Sequence, residues 1–135
     1  MAADLVIVAA DVAPVEVIEM FTGPAKEVIL KGQYVRYNVT DGKIELGKGT
    51  EAAEARKGGI AINGASKIGI TVTAVRRGII DIGDALGLLA FDADVFLSDT
   101  DGTLADTAGS VTLIVGTVVP AWNATTADKL LRIAL

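Results

Sequence analysis

A Thr-Asp-Gly triplet occurs twice in this chain, each time between short runs of strand-forming residues. Val35 to Ile44 reads VRYNVTDGKI and Val95 to Leu104 reads VFLSDTDGTL. The two align without gaps through Val35/Val95, Thr40/Thr100, Asp41/Asp101 and Gly42/Gly102, and Ile44 matches Leu104 in character. An Asp-Gly pair between extended runs signals a hairpin, because glycine takes the positive φ of a tight turn without steric cost. Asp41, Gly42, Asp101 and Gly102 are therefore read as structural turn residues. Each copy is followed by a small-residue stretch and a strand beginning at glycine, Gly59-Ile-Ala-Ile and Gly116-Thr-Val-Val. The chain thus carries two strand–turn–strand units, about 32–62 and 92–119.

The rest of the chain fits around these units. Leu5-Val-Ile-Val8 is extended-prone and closed by Pro14, so residues 1–14 read as an N-terminal arm or edge strand. Residues 15–135 read as a single β-rich domain. Val15 to Met20 is a further strand and Thr22-Gly-Pro24 a break. Tyr34, Arg36 and Asn38 alternate with Val35, Tyr37 and Val39, the period of a half-buried strand. Glu51 to Lys57 is the helical candidate: Ala-rich, with Thr50 as N-cap, acidic residues early, basic residues late, and Gly58-Gly59 as a stop. Ile68 to Val75 and Ile79 to Ile82 are strands separated by an Arg76-Arg-Gly78 turn, and Asp84 to Ala90 is irregular or one helical turn. Val111 to Val119 is a strand that Pro120 ends, and the tail from Lys129 suits a closing strand. Turn signals recurring every eight to twelve residues, roughly, are those of an all-β domain. The expected fold is mainly β: a small antiparallel β-barrel or sandwich with one short helix and an extended N-terminal arm.

Composition narrows the chemistry. Of 135 residues 51 % are hydrophobic but only 4 % aromatic, so the core is aliphatic. Histidine and cysteine are both absent, which removes the usual metal ligand, the usual general base and any Ser-His or Cys-His nucleophile pair. No catalytic residue, metal site or cofactor is expected. A net charge of −5 does not attract a phosphate backbone, so no nucleic acid is expected, and Arg56-Lys57 and Arg76-Arg77 read as solvated pairs. No stretch approaches the roughly 20 apolar residues of a membrane-spanning helix, and the start lacks the basic residues of a secretory signal. Synthesis in the cytoplasm and no membrane partner are the expectations.

The second unit also resembles the first motif of the haloacid dehalogenase-like phosphatases. Asp99-Thr-Asp101-Gly-Thr, preceded by Val95-Phe-Leu, would supply a nucleophile in Asp99 and a general acid/base in Asp101. That family needs a doubly wound domain, a lysine and an acidic pair downstream. After Thr107 this chain has only Asp128 and Lys129 of those types. The upstream copy keeps the turn but has Val39 at the nucleophile's position, as an architectural turn would. Asp99, Asp101 and Asp106 also lack the following acidic ligands of a calcium loop and read as turn formers.

A second resemblance covers the chain from about Gly32 onward. The order Gly32-x-x-Val35, Asp41-Gly-x-Ile44, an Ala-rich helix, Gly59-Ile-Ala-Ile-Asn63, Ile70-Thr-Val-Thr73, Ile79-Ile-Asp-Ile-Gly83, Val95 to Gly102, then Val118-Val-Pro-Ala-Trp122 and Lys129-Leu-Leu131 is similar to the capsid decoration (cement) proteins of tailed bacteriophages. The resemblance implies a non-enzymatic virion protein, commonly a homotrimer. It would bind the outside of the expanded head and bridge neighbouring copies of the major capsid protein. Another virion part, such as a head-fibre base or a tail or baseplate component, is the alternative. In such proteins N-terminal segments often contact the shell. Leu5, Val6, Ile7 and Val8 are therefore capsid- or subunit-interface candidates, able to add a strand to an exposed sheet edge; the other reading makes them a strand of this same domain. Trp122 is an interface anchor or a cap on the core.

Overall fold

The computed structural model describes residues 4–47, 49–50, 58–120 and 129–135. Its strands are β1 (Val12–Pro24), β2 (Tyr34–Tyr37), β3 (Ile44–Leu46), β4 (Gly59–Ala61), β5 (Thr71–Ile82), β6 (Asp94–Leu97), β7 (Leu104–Ala105), β8 (Ile114–Pro120) and β9 (Lys129–Ala134). All pair antiparallel in one sheet ordered β3-β2-β4-β5-β9-β8-β6-β7, with β1 on the other side of β5. The fold is mainly β, a curled antiparallel half-barrel. Among the described residues the helical segments are 3-10 turns at Ala9–Asp11 and Gly83–Leu86. The helix expected over Glu51 to Lys57 lies outside the described residues.

The repeated turn recurs at atomic level. Tyr37 faces Ile44 in the first hairpin and Leu97 faces Leu104 in the second, the same register. Asn38 N–H donates to the Lys43 carbonyl at 2.7 Å, and Ser98 N–H to the Thr103 carbonyl at 2.9 Å. Each turn is braced by its first residue: Asn38 Oδ1 accepts from Thr40 N–H at 2.9 Å and Ser98 Oγ from Thr100 N–H at 3.0 Å. Gly42 and Gly102 both take positive φ, 71° and 66°. The glycine-led strands pair alike, Val35 with Gly59 and Val95 with Gly116. Strands β2 to β5 and β6 to β9 are thus two versions of one motif, joined where β5 pairs with β9. The outer ends then meet. Gly102 donates to the Gly47 carbonyl at 2.6 Å and accepts from Tyr34 N–H at 2.9 Å, which curls the sheet.

Burial follows the curl. The concave face buries Ile80, Ile82, Val95, Leu97, Leu104, Val115, Leu131 and Ile133. On the convex side of the first motif, Val35, Ala61, Val72 and Ala74 form a second cluster under Ala25, Ile29 and Ala65. Each fully buried Leu or Ile stabilises by roughly 1.5–3 kcal/mol. Strand β2 is buried on both faces, with Tyr34 in one cluster and Val35 in the other. Next to Val35, Arg36 is held by its cross-strand partner Glu45, Nη2 to Oε1 at 2.6 Å.

Four sequence expectations need correction. Arg76-Arg-Gly78 is not a turn: β5 runs unbroken from Thr71 to Ile82. Gly78, at φ 143°, continues the strand in a conformation other residues rarely adopt, and Glu19 on β1 holds Arg76 and Arg77 at 3.6 and 3.7 Å. Pro14 does not close the arm, nor does Thr22-Gly-Pro24 break the next strand, because β1 spans Val12–Pro24. A strand at a sheet edge tolerates proline, its missing N–H facing away from the ladder. The strand expected over Val111 to Val119 begins only at Ile114.

Two outcomes follow from this packing. A Cβ at Gly78 would collide with the Glu16 carbonyl oxygen on β1, so Gly78→Ala should destabilise the fold by at least about 2 kcal/mol in urea unfolding. Tyr34 is fully buried, and burial pushes its phenol up to about 12, against the weaker opposing pulls of the Gly58 N–H, Arg76 and Arg36. Above pH 10 the unfolded chain releases this proton first and the folded state holds it, so Tyr34 makes stability fall as pH rises from about 10 to 12. The loss is roughly 2–3 kcal/mol. Unfolding of Tyr34→Phe across the same range should lack this component.

Candidate functional site

The chain start forms a continuous surface. Asp4 is anchored at the second turn: its Oδ1 accepts from Ser98 Oγ at 2.5 Å and its Oδ2 from Thr100 Oγ1 at 2.9 Å. Leu5 N–H donates to the Leu104 carbonyl at 2.8 Å, and Asp4 bridges to Ala105. Beyond that single bridge residues 5–8 form no strand. Their side chains alternate: Leu5 and Ile7 pack against the main core, while Val6 is 81 % and Val8 55 % exposed. Of the four interface candidates on the arm, two therefore face inward and two outward. Trp122 lies outside the described residues.

The arm leads through Ala9–Asp11 into β1, which sequence reasoning did not single out as a surface. Only Val12 of β1 is buried, and Ala13 to Met20 are all exposed. Val15, Val17, Ile18 and Met20 present aliphatic side chains to solvent. The strand stands at the edge of the sheet: β5 is its one strand partner among the described residues, and β4 and β9 pair with β5 along the other edge. Three register shifts against β5 turn side chains of both parities outward. Where Phe21 returns toward the body it packs on Tyr37, ring centres 4.9 Å apart, with Arg76 over its face at 4.8 Å.

The aspartates of the turns are occupied in loop structure. Asp99 accepts from Ser110 N–H at 2.7 Å and from Ser110 Oγ at 3.0 Å, tying the second turn to the segment before β8. Asp101 contributes its carbonyl to Thr103 Oγ1 at 3.2 Å. In the first turn Lys43 N–H lies 3.0 Å from Asp41 Oδ1 and holds that carboxyl below the usual carboxylate range, with a further contribution from Lys26 at 3.3 Å. Among the described residues, no group of three or more acidic side chains is placed to hold a metal ion. No described helix is long and apolar enough to cross a membrane.

No protein-family model matches the chain, and no curated protein or solved structure matches it significantly.

What the arrangement does chemically is present backbone and aliphatic side chains to solvent. The arm's anchoring was missed because it joins residues 94 and 96 positions apart. The only available signal was a hydroxyl, Ser98, at the position where the first copy has Asn38. Asp4→Ala should free the arm. The Leu5 amide is expected to exchange at least about tenfold faster in native-state hydrogen exchange, while global stability falls by about 1 kcal/mol.

Proposed function

We propose that this chain is a structural protein of a tailed-bacteriophage virion, a decoration protein on the capsid surface. It binds the outside of the expanded head and stabilises contacts between major capsid subunits, acting as a homotrimer after synthesis in the host cytoplasm. The reading began in the order of turn and strand signatures along the sequence. One structural observation carries it further: Val6, Val8, Val15, Val17, Ile18 and Met20, close together in sequence, stand in solvent along the arm and one edge strand. Exposed apolar side chains along a long edge strand suit pairing with another protein's sheet. Weak contacts of this kind add up when a symmetric oligomer meets a repeating lattice.

The same surface would serve a head-fibre base or a tail component, the alternative virion reading. A phosphatase acting through Asp99 has less support, since Ser110 holds both oxygens of that carboxylate.

The deciding experiment adds purified protein to expanded heads assembled without it. Regular surface knobs in negative stain and a higher bursting temperature are expected, with both weakened when Val6 and Val8 are replaced by Ser. Heads that gain neither would refute the decoration role. No magnesium-dependent hydrolysis of an aryl phosphate is expected, and turnover lost on Asp99→Asn would instead establish the phosphatase.

A further inference from the structure

The strand register places an acid, an aliphatic and a base in one row. Glu16 on β1 stands opposite Ile79 on β5, and Ile79 opposite Arg132 on β9. Directly opposed residues share a face of the sheet. Here it is the convex face, because the next residues along, Ile80 and Leu131, are buried in the main core. The row runs on to Thr117 and Asp94, so Arg132 is its one cation. With neighbouring strands about 4.8 Å apart, the backbones of Glu16 and Arg132 are roughly 10 Å apart, with Ile79 between them. Neither side chain makes a hydrogen bond or ion pair with the other among the described residues. The adjacent row differs, since Glu19 there is already matched by Arg76 and Arg77.

A groove of about 210 Å³ lies along the row, bordered by Glu16, Ile18, Ile79 and Arg132. At its rim Ile18, the extra residue between Val17 and Glu19 in the register, is 69 % exposed. The far edge of β1 has no strand partner among the described residues.

A surface reading acid–apolar–base is complementary to itself. Turned about and laid on a copy, it sets carboxylate on guanidinium and aliphatic on aliphatic, whereas a partner of one charge sign meets a like charge somewhere in the row. We propose that this convex face of β1, β5 and β9 is where copies of the chain meet. Glu16 of one copy lies against Arg132 of the next, with Ile18 seated in the facing groove beside Ile79. Such a face-to-face contact joins two copies about a two-fold axis, so it is a second contact beside the homotrimer proposed above and goes beyond that reading.

Sedimentation equilibrium of the full chain tests it. Glu16→Arg and Arg132→Glu, each at an exposed position, should weaken self-association about tenfold apiece. The double variant, which restores the pair with signs exchanged, should return to within about threefold of the starting affinity. Ile18→Glu should abolish this pairing at concentrations where the unaltered chain pairs. Circular dichroism and the urea midpoint establish that each variant is folded. The proposal is overturned by a chain that stays monomeric at about 100 μM, by single variants that assemble normally, or by a double variant no better than the singles. Head binding is a separate measurement. Its failure with self-association intact removes the decoration role alone, and assembly through another face removes this inference alone.

Discussion

Strand β5 is the constraint on which the sheet depends. Over 12 residues it carries β1 along one edge, and β4 then β9 along the other. Its first half contributes Val72 and Ala74 to the convex cluster, and its second half contributes Ile80 and Ile82 to the concave one. That change of buried face within one strand makes two small clusters act as parts of one body. It also needs a backbone position where neighbouring chains can approach closely, and Gly78 supplies it between Val17 and Ile133. A side chain there would strike β1, so the junction of the two motifs is fixed by the absence of one.

What was legible in the sequence follows from the range of the interactions involved. The hairpins could be read because their determinants are local: an aspartate, a glycine, and an Asn or Ser bracing an amide two residues on. The glycine-led partner strands could be read because the repeat carried them along. Three features escaped for want of local signal. Arg76-Arg-Gly78 has the composition of a turn, and only Glu19 and the close approach of β1 make it strand. Pro14 is acceptable within β1 because that strand is an edge, which is a property of the whole topology. Leu-Val-Ile-Val is apolar at every position, so no pattern could say that Leu5 and Ile7 turn inward while Val6 and Val8 face water. The row of Glu16, Ile79 and Arg132 is farther still from view, since register alone assembles it.

The distribution of burial distinguishes the two motifs. The first has its convex side covered by the segment around Ala25, Ile29 and Ala65. Among the described residues, the convex surface from β1 across β9 has no such cover and mixes charge with aliphatic side chains. Aliphatic residues on an exposed edge are an aggregation hazard in a protein that works alone, and a reason for partners in one that works in an array. The glutamates and arginines interleaved there restrict which partners fit, because a mismatched sign is costly once water is excluded.

The anchoring of the N-terminus bears on how the chain is made. Asp4 is made well before the groups that receive it, since those hydroxyls belong to Ser98 and Thr100, and the carbonyl that holds Leu5 belongs to Leu104. Strand β1 likewise waits for β5. For most of translation, then, this largely apolar strip has nowhere to dock, and nascent chains on one messenger emerge with like segments near each other. The carboxylates at positions 4, 11, 16 and 19 punctuate that strip and give neighbouring nascent chains a reason to repel until the later strands arrive.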